Sequence, residues 1–190
     1  MKALPAILVA LALLIGLAGY LWRGAPDMPA SPAPPLVINP DVTPEAEKAS
    51  AALLDDRGDV RAWLTLSDSL LRQDKTAAAV TVLESAIAAA PEDVNLWVQL
   101  GVALTAHAEG EVVPAARLAF DRASRLDPAH PAPAFYLGLA WMQTGEVARA
   151  REVWRALLAR SPADAPWRPT VEQQLAMAER AQAMAGSTGG

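Results

Sequence analysis

Cysteine is absent from this 190-residue sequence. Its absence excludes disulfide bonds, a cysteine-ligated zinc site, a catalytic thiol and a CxxC redox motif within the chain. Histidine is scarce, since His107 and His130 are the only two, and neither has a second ligand at metal-binding spacing. The sequence also lacks a glycine-rich phosphate loop, a Ser/His/Asp arrangement and a paired-carboxylate signature. We therefore expect no enzyme, no metal site and no cofactor, and we interpret both histidines as solvated loop residues.

Charge is missing from the N-terminal segment, where residues 3–22 form an uncharged run rich in Leu, Ile, Val and Ala. At about 1.5 Å per residue this run is roughly 30 Å long as a helix, the thickness of a bilayer's hydrocarbon core. A cleaved signal peptide with its small-residue site at residues 16–18 is the alternative. The run continues past that site and closes with Tyr20 and Trp22, which suit a membrane interface. We therefore predict an uncleaved transmembrane anchor over residues 1–23 and expect the rest of the chain to be exported.

Proline is concentrated in residues 24–43, which contain six of them, separated mainly by small residues. Such a segment cannot form a ladder or a helix, and we expect an extended linker of roughly 60 Å that acts as a tether. At the other end, residues 186–190 read Gly-Ser-Thr-Gly-Gly and are expected to be a disordered tail. The predicted folded domain therefore covers residues 44–185.

The folded domain has apolar residues at helical spacing and contains an internal repeat. Trp63 and Trp97 lie 34 residues apart, and each is followed by Leu three and seven residues later. The pattern resembles the tetratricopeptide repeat, in which each unit is a pair of antiparallel helices. The other matching positions are Ala79, Leu83, Ala86 and Pro91 in unit one, Ala116, Phe120, Ala123 and Pro128 in unit two, and Leu137, Gly138, Trp141, Gly145, Ala150, Trp154 and Pro162 in unit three.

Three features depart from the repeat pattern. Ser67 stands in place of the usual Gly in unit one, Ala134 replaces the large first residue of unit three, and unit two has three extra residues around 109–113. Flanking helices over about residues 44–56 and 170–184 are expected to cover the ends of the stack. The predicted fold is all-α, a tetratricopeptide repeat solenoid of three helix pairs with flanking helices, behind an N-terminal transmembrane helix.

The resemblance to this repeat implies a concave groove lined by the first helix of each unit. Its positions form an apolar stripe with a polar edge, which suits an amphipathic helix or an extended apolar segment. The stripe lacks the Lys/Asn array with which some members bind a chaperone-tail carboxylate, since Leu64 and Asp68 stand at those positions. Coverage of part of the stripe by the N-terminal helix or linker is the alternative. The groove positions are Arg61, Leu64, Asp68, Leu71, Arg72, Asn95, Val98, Val102, Thr105, Phe135, Leu139, Met142 and Gln143.

The second half of the domain resembles a narrower family. The inserted turn at residues 110–114, the segment Leu-Asp-Pro-Ala-His-Pro at 126–131 and above all Asp-Ala-Pro-Trp-Arg at 164–168 carry this resemblance. They are similar to the periplasmic repeat domain of the cytochrome c-type biogenesis proteins called CcmI or CycH, over roughly residues 44–180. Larger members of that family have a second transmembrane helix and a cytoplasmic loop, so we expect this chain to act through its groove alone.

This resemblance implies a non-enzymatic role in bacterial cytochrome c maturation. The protein would hold apocytochrome c, by its C-terminal helix or a similar peptide, and present its CxxCH segment to components of the haem-ligation complex. The implied location is the bacterial inner membrane, as a single-pass protein with its C-terminal domain in the periplasm. A general envelope scaffold that organises a membrane protein complex through its groove is the alternative.

The charge of the chain excludes one class of partner and suggests a gradient. A formal net charge of −5 and the expected export argue against binding to nucleic acid. Residues 41–111 hold 5 basic and 13 acidic residues, net −8, whereas residues 112–170 hold 8 basic and 5 acidic residues, net +3. Such a gradient can orient a charged peptide, although solubility alone explains the acidic end, and both interpretations stay open.

Overall fold

The computed structural model describes residues 43–187, and the predicted anchor and linker lie outside this range. Consecutive helices pack against each other, and α2 contacts α4 as α4 contacts α6. The predicted all-α solenoid with the helix pairs α2–α3, α4–α5 and α6–α7 is confirmed. The described residues form α1 (Pro44–Asp55), α2 (Val60–Arg72), α3 (Thr76–Ala89), α4 (Val94–His107), α5 (Pro114–Leu126), α6 (Ala132–Gln143), α7 (Val147–Ala159) and α8 (Arg168–Ser187), with no strand.

The two helices of a unit meet where a small residue faces a large one. A Cβ added at Gly138 would lie 2.3 Å from the indole nitrogen of Trp154, and one at Gly101 would lie 2.6 Å from the ring of Phe120. Both distances are shorter than any carbon contact, so these glycines make room for the aromatic rings. In unit one, the corresponding residues are Ser67 and Leu83, both fully buried. The smaller Leu side chain explains why unit one accepts a residue with a Cβ.

Each inner helix ends in the same backbone turn. Asp74, Glu109 and Gly145 adopt the left-handed conformation, with φ of 59°, 55° and 78°. In all three units the amide of the next residue donates to a carbonyl oxygen five positions earlier, at 2.8–2.9 Å. This is the Schellman arrangement, which satisfies carbonyl groups at the end of a helix. The three inserted residues of unit two follow this turn and leave α4 intact.

The first helix, α1, occupies the place of a second helix from a preceding unit. Asp56 accepts a hydrogen bond from the amide two residues later at 2.8 Å, as Asp127 does at 2.9 Å in the turn between α5 and α6. The indole of Trp63 donates to the carbonyl six residues earlier at 2.8 Å, as does the indole of Trp97. Helix α1 therefore belongs to the outer layer with α3, α5 and α7, and does not line the concave face.

The N-terminus of α1 is capped by Thr43. The hydroxyl oxygen of Thr43 accepts a hydrogen bond from the amide of Ala46 at 3.4 Å, and Pro44 is the first helical residue. The same hydroxyl lies 3.2 Å from that of Ser69 in α2. A cap of this kind contributes about 1 kcal/mol, and here it also joins α1 to the first repeat unit.

The last helix, α8, is joined to unit three through the Asp-Ala-Pro-Trp-Arg segment. The guanidinium of Arg168 donates to the carbonyl of Leu158 at 2.9 Å and to Glu172 at 2.8 Å. It thereby satisfies a carbonyl at the end of α7 while holding the first turn of α8. Trp167 packs against the hydrophobic core of unit three. This segment is therefore a structural connector between the repeats and the final helix.

One predicted boundary requires correction. Helix α8 continues to Ser187, so residues 186 and 187 of the predicted disordered tail are helical, while residues 188–190 lie outside the described range. The alanines between 176 and 185 have high helix propensity and extend the helix beyond the expected end. Among residues 43–187, no helix combines the length and apolar character needed to cross a membrane.

Candidate peptide-binding groove

The inner helices α2, α4 and α6 contact one another in order, and the face that they share is the predicted concave face. Each brings apolar side chains to this face that are only partly buried, in contrast to the fully buried Leu83 and Leu96 of the core. In unit three these side chains rest on the hydrophobic core around Trp141 and Trp154. The face is therefore a firmly supported apolar surface that remains accessible to solvent. The half-buried apolar residues of the groove are Leu64, Leu71, Val102, Phe135, Leu139 and Met142.

Polar residues border this apolar stripe and are exposed. Arg72 forms an ion pair with Asp68 one turn earlier, and their side chains are 57% and 52% exposed. A pair as exposed as this contributes about 0–1 kcal/mol, so either partner is free to interact with a ligand. Arg61, Asn95 and Gln143 are also exposed. All five residues assigned to the polar edge are therefore exposed, and their role at the edge of a groove stays a prediction.

Two predicted groove residues lie in the core instead. Val98 is 4% exposed and Thr105 is 7% exposed. Helix α4 is the middle inner helix, so α2 and α6 cover it from both sides. The hydroxyl of Thr105 is satisfied by the carbonyl of Gly101 at 2.9 Å and has no need of a ligand. The surface of the groove in unit two is therefore provided by Asn95 and Val102.

The final helix, α8, packs against α7 and continues the repeat period of the inner helices. Val171 and Leu175 of α8 stand 34 residues after Leu137 and Trp141, and they pack against the same hydrophobic core. The same spacing places Met177 in register with Gln143 at the edge of the groove. Its side chain is 50% exposed. Helix α8 therefore covers the end of unit three, as the sequence analysis expects of the flanking helix.

The insertion in unit two reaches the edge of the groove. A Cβ built at Gly110 would lie 3.5 Å from the side-chain oxygen of Gln143, at the end of α6. Val112, two residues further on, packs against the core of unit three. The insertion therefore links the second unit to the third beside a polar groove residue.

The outer face has a separate cleft of about 430 Å³ between α5 and α7. Its apolar part includes Leu137 and Trp141, and its polar part includes Arg117, Arg149 and Glu152. The guanidinium carbon of Arg149 lies 5.9 Å from the ring centre of Trp141. Sequence reasoning gave no indication of this cleft, because it arises from how two units pack together.

The two histidines are each satisfied locally. The Nδ1 atom of His107 lies 3.0 Å from the hydroxyl of Thr76, and Nδ1 of His130 accepts from the amide of Ala132 at 3.3 Å. Within residues 43–187, no three His, Asp or Glu side chains lie close enough to hold a metal ion. The expectation that the chain is not an enzyme stays a prediction.

Comparison with known proteins identifies the family. Two models described as tetratricopeptide repeat match residues 60–103 and 105–165. The cytochrome c-type biogenesis protein CycH of Bradyrhizobium diazoefficiens is 39% identical over 117 residues, which are 62% of this chain and 32% of the relative. CycH of Rhizobium meliloti is 36% identical over 174 residues, 90% of this chain and 45% of the relative. The chain belongs to the CycH family of tetratricopeptide repeat proteins.

The matched part of this CycH family member spans less than half of each relative's length. It covers 32% of the Bradyrhizobium protein and 45% of the Rhizobium protein. A solved structure agrees with the fold: a thermophilic tetratricopeptide repeat protein of Thermus thermophilus superposes with a TM-score of 0.58. It is 17% identical, and the match covers 68% of this chain and 71% of the Thermus protein. This similarity confirms the solenoid, while the family assignment rests on the two CycH sequences.

Proposed function

We propose that this CycH family member is a chaperone of cytochrome c biogenesis that holds apocytochrome c and presents it for haem ligation. An amphipathic helical segment of the apocytochrome, such as its C-terminal helix, lies in the concave groove. The names of the relatives support a role in cytochrome c-type biogenesis. The open apolar face supports binding of an apolar helix face. The observation that carries the proposal is the set of six half-buried apolar side chains on the inner helices.

The chemistry of the groove suits such a segment. Phe135, Leu139 and Met142 project from a supported core, so an apolar helix face that covers them gains about 25 cal/mol for each Å² of apolar surface removed from water. Arg61 and Arg72 at the polar edge can then pair with acidic residues on the solvent side of that helix. The groove therefore favours an amphipathic helix over a uniformly polar or fully extended peptide.

The same proposal places the protein at the inner membrane, with the repeat domain in the periplasm. The uncharged run at residues 3–22 supports an anchor, and the prolines at 24–43 support a spacer that separates the groove from the bilayer. Fractionation of cells that carry the full chain, or a variant without residues 3–22, tests this part. The full chain should sediment with membranes and the variant should not. Equal sedimentation of both proteins would contradict the anchor.

Binding to apocytochrome c is the direct test of the function. The purified full chain in detergent is titrated into a fluorescent peptide of about 20 residues from the C-terminal helix of a c-type apocytochrome, and anisotropy is recorded. Leu139→Glu should weaken binding at least about tenfold, because it buries an unpaired charge in the complex. Leu118→Glu is the matched control, since Leu118 is 61% exposed on the outer helix α5. Failure of the unaltered chain to bind would refute the proposal.

Affinity purification from membranes separates this function from the general envelope scaffold. Haem-ligation components in the eluate support the chaperone. Secretion or division components in their place would favour the scaffold. Loss of covalent haem from the envelope fraction after deletion of the gene is the matching physiological result, and unchanged haem staining would count against a role in cytochrome c biogenesis.

A further inference from the structure

The junction between units two and three, here junction two, is the most loosely packed step of the solenoid. Helix α5 packs against α6 much less than α3 packs against α4 at junction one, between units one and two. The outer cleft of about 430 Å³ opens at junction two and is lined by Leu137 and Trp141. Low packing density of this kind marks the regions of a fold that move most easily.

Polar contacts cross the other junctions of the solenoid. At junction one, the hydroxyl of Thr76 in α3 lies 3.0 Å from Nδ1 of His107 in α4. At the end of the stack, Arg155 of α7 forms an ion pair with Glu179 of α8. Within residues 43–187, by contrast, no hydrogen bond or ion pair joins α4 or α5 to α6 or α7. Junction two therefore lacks both the apolar packing and the polar contacts that hold its neighbours.

The inner side of junction two is better attached than the outer side. Helix α4 contacts α6 about as extensively as α2 contacts α4. The insertion in unit two adds a contact on this side, because a Cβ at Gly110 would lie 3.5 Å from the side-chain oxygen of Gln143 in α6. An inner side that stays in contact and an outer side that is open are the arrangement of a hinge.

We propose that junction two is a hinge, at which unit three and α8 rotate as one body against helices α1–α5. The pivot is the contact between α4 and α6. Because this pivot lies between the outer cleft and the concave face, rotation that opens the cleft narrows the concave face. Rotation that closes the cleft widens it.

The hinge divides the predicted groove into two halves. Leu64 and Val102 lie on one side of junction two, and Leu139 and Met142 lie on the other. An occupant that contacts both halves favours the rotation that brings them together, which opens the outer cleft. This consequence rests on the proposed function, because the occupant is the amphipathic helix of apocytochrome c. A hinge would let one groove fit helices of different thickness.

The chain has no cysteine, so introduced cysteines can be labelled without background. Ala88, Arg125 and Ala159 occupy equivalent repeat positions near the ends of the outer helices α3, α5 and α7, and all three are exposed. Ala88→Cys with Arg125→Cys spans junction one, and Arg125→Cys with Ala159→Cys spans junction two. The full chain in detergent carries nitroxide labels at either pair, and pulsed electron paramagnetic resonance measures the distribution of distances between them.

In the free protein, the distance distribution across junction two should be at least about twice as wide as that across junction one. Addition of the apocytochrome peptide of about 20 residues should narrow the distribution across junction two and shift it to longer distances. The distribution across junction one should stay unchanged. Equal widths at the two junctions in the free protein would overturn the hinge.

Filling junction two tests the cause of the motion. Arg117→Val with Ser124→Ile gives α5 the residue types of Val80 and Ile87 at the equivalent positions of α3. This double variant should reduce the width across junction two to that across junction one, because the outer side is then packed. An unchanged width in a variant that circular dichroism shows to be folded would contradict loose packing as the origin of the hinge.

The peptide experiment separates the hinge from the function on which its use rests. If the peptide does not bind, the proposed function fails, while the widths in the free protein still decide whether the hinge exists. If the peptide binds and leaves the distribution across junction two unchanged, the function stands and the coupling of the hinge to the groove is wrong. A shift to shorter distances would contradict the pivot between α4 and α6.

Discussion

The junction between units one and two is well packed, whereas the junction between units two and three is open. Helix α3 packs against α4 about as extensively as α1 packs against α2, but α5 contacts α6 much less. The outer cleft of about 430 Å³ opens at this second junction, between α5 and α7. The two junctions come from the same repeat, so the difference must lie in particular side chains.

Corresponding positions in the two outer helices explain the difference. Val80 of α3 is half-buried, and the equivalent residue of α5 is Arg117, which lines the cleft. Ile87 corresponds to Ser124 in the same way. The partner helix also differs, because α4 has Trp97 where α6 has Ala134. Junction two therefore has smaller or charged residues at three positions that are large and apolar in junction one.

The contrast shows that contacts within a unit and contacts between units follow different constraints. Within units, the small residue and its large partner change together, as Gly138 with Trp154 and Ser67 with Leu83 show. Between units two and three, no other side chain of the described residues fills the space left by the smaller or charged residues of this junction. The insertion in unit two adds a separate contact there through Val112. The solenoid is therefore tight inside each unit and loosest at one junction.

The largest effect should come from filling the tightest contact within a unit. Gly138→Ala places a Cβ against the Trp154 indole and should lower the free energy of unfolding by about 3 kcal/mol. Urea denaturation followed by circular dichroism measures this change. Trp154→Leu recreates the pairing of unit one, so the double variant should lose clearly less than the sum of the single losses. Additive losses would show that the contact is not the cause.

A smaller loss of stability should follow when the arginine of junction two is introduced at the equivalent position of junction one. Val80→Arg replaces a half-buried apolar side chain with a charged one in a packed junction, and should lower the free energy of unfolding by about 1–2 kcal/mol. Thr81→Arg, at an exposed position of the same helix, is the control for added charge and should change stability by less than about 0.5 kcal/mol. Equal effects of the two substitutions would contradict the difference between the junctions.

The reverse change should stabilise the open junction. Arg117→Val removes the charge from the cleft and lets an apolar side chain approach Leu137, so the free energy of unfolding should rise by about 0.5–1 kcal/mol. The ion pair that it removes, Arg117 with Asp121 at 3.9 Å, is exposed and contributes little. A loss of more than about 1 kcal/mol would mean that Arg117 supports the junction instead of opening it.

The repeat period predicted most of the fold because it reports buried residues. Trp63, Trp97 and their following leucines define the inner helices, and the groove positions follow from the same register. For Val98 this prediction was wrong, because the residue is buried in the core. Its exposure depends on the neighbouring helices, which the repeat period does not describe. The cleft was equally unpredictable, because it depends on the combined volumes of residues far apart in sequence.

The smallest expected effect concerns the turns that end the inner helices, where units one and three differ by a single residue type. Asp74 adopts a φ of 59°, whereas unit three places Gly145 at the corresponding position with a φ of 78°. A left-handed conformation costs a residue with a Cβ more than it costs glycine, although glycine loses more entropy on folding. Asp74→Gly should therefore raise the free energy of unfolding by about 0.5 kcal/mol, and Gly145→Asp should lower it by a similar amount. Nothing lies within 4 Å of a Cβ at Gly145, so a loss there comes from the backbone alone, and a gain would contradict the argument.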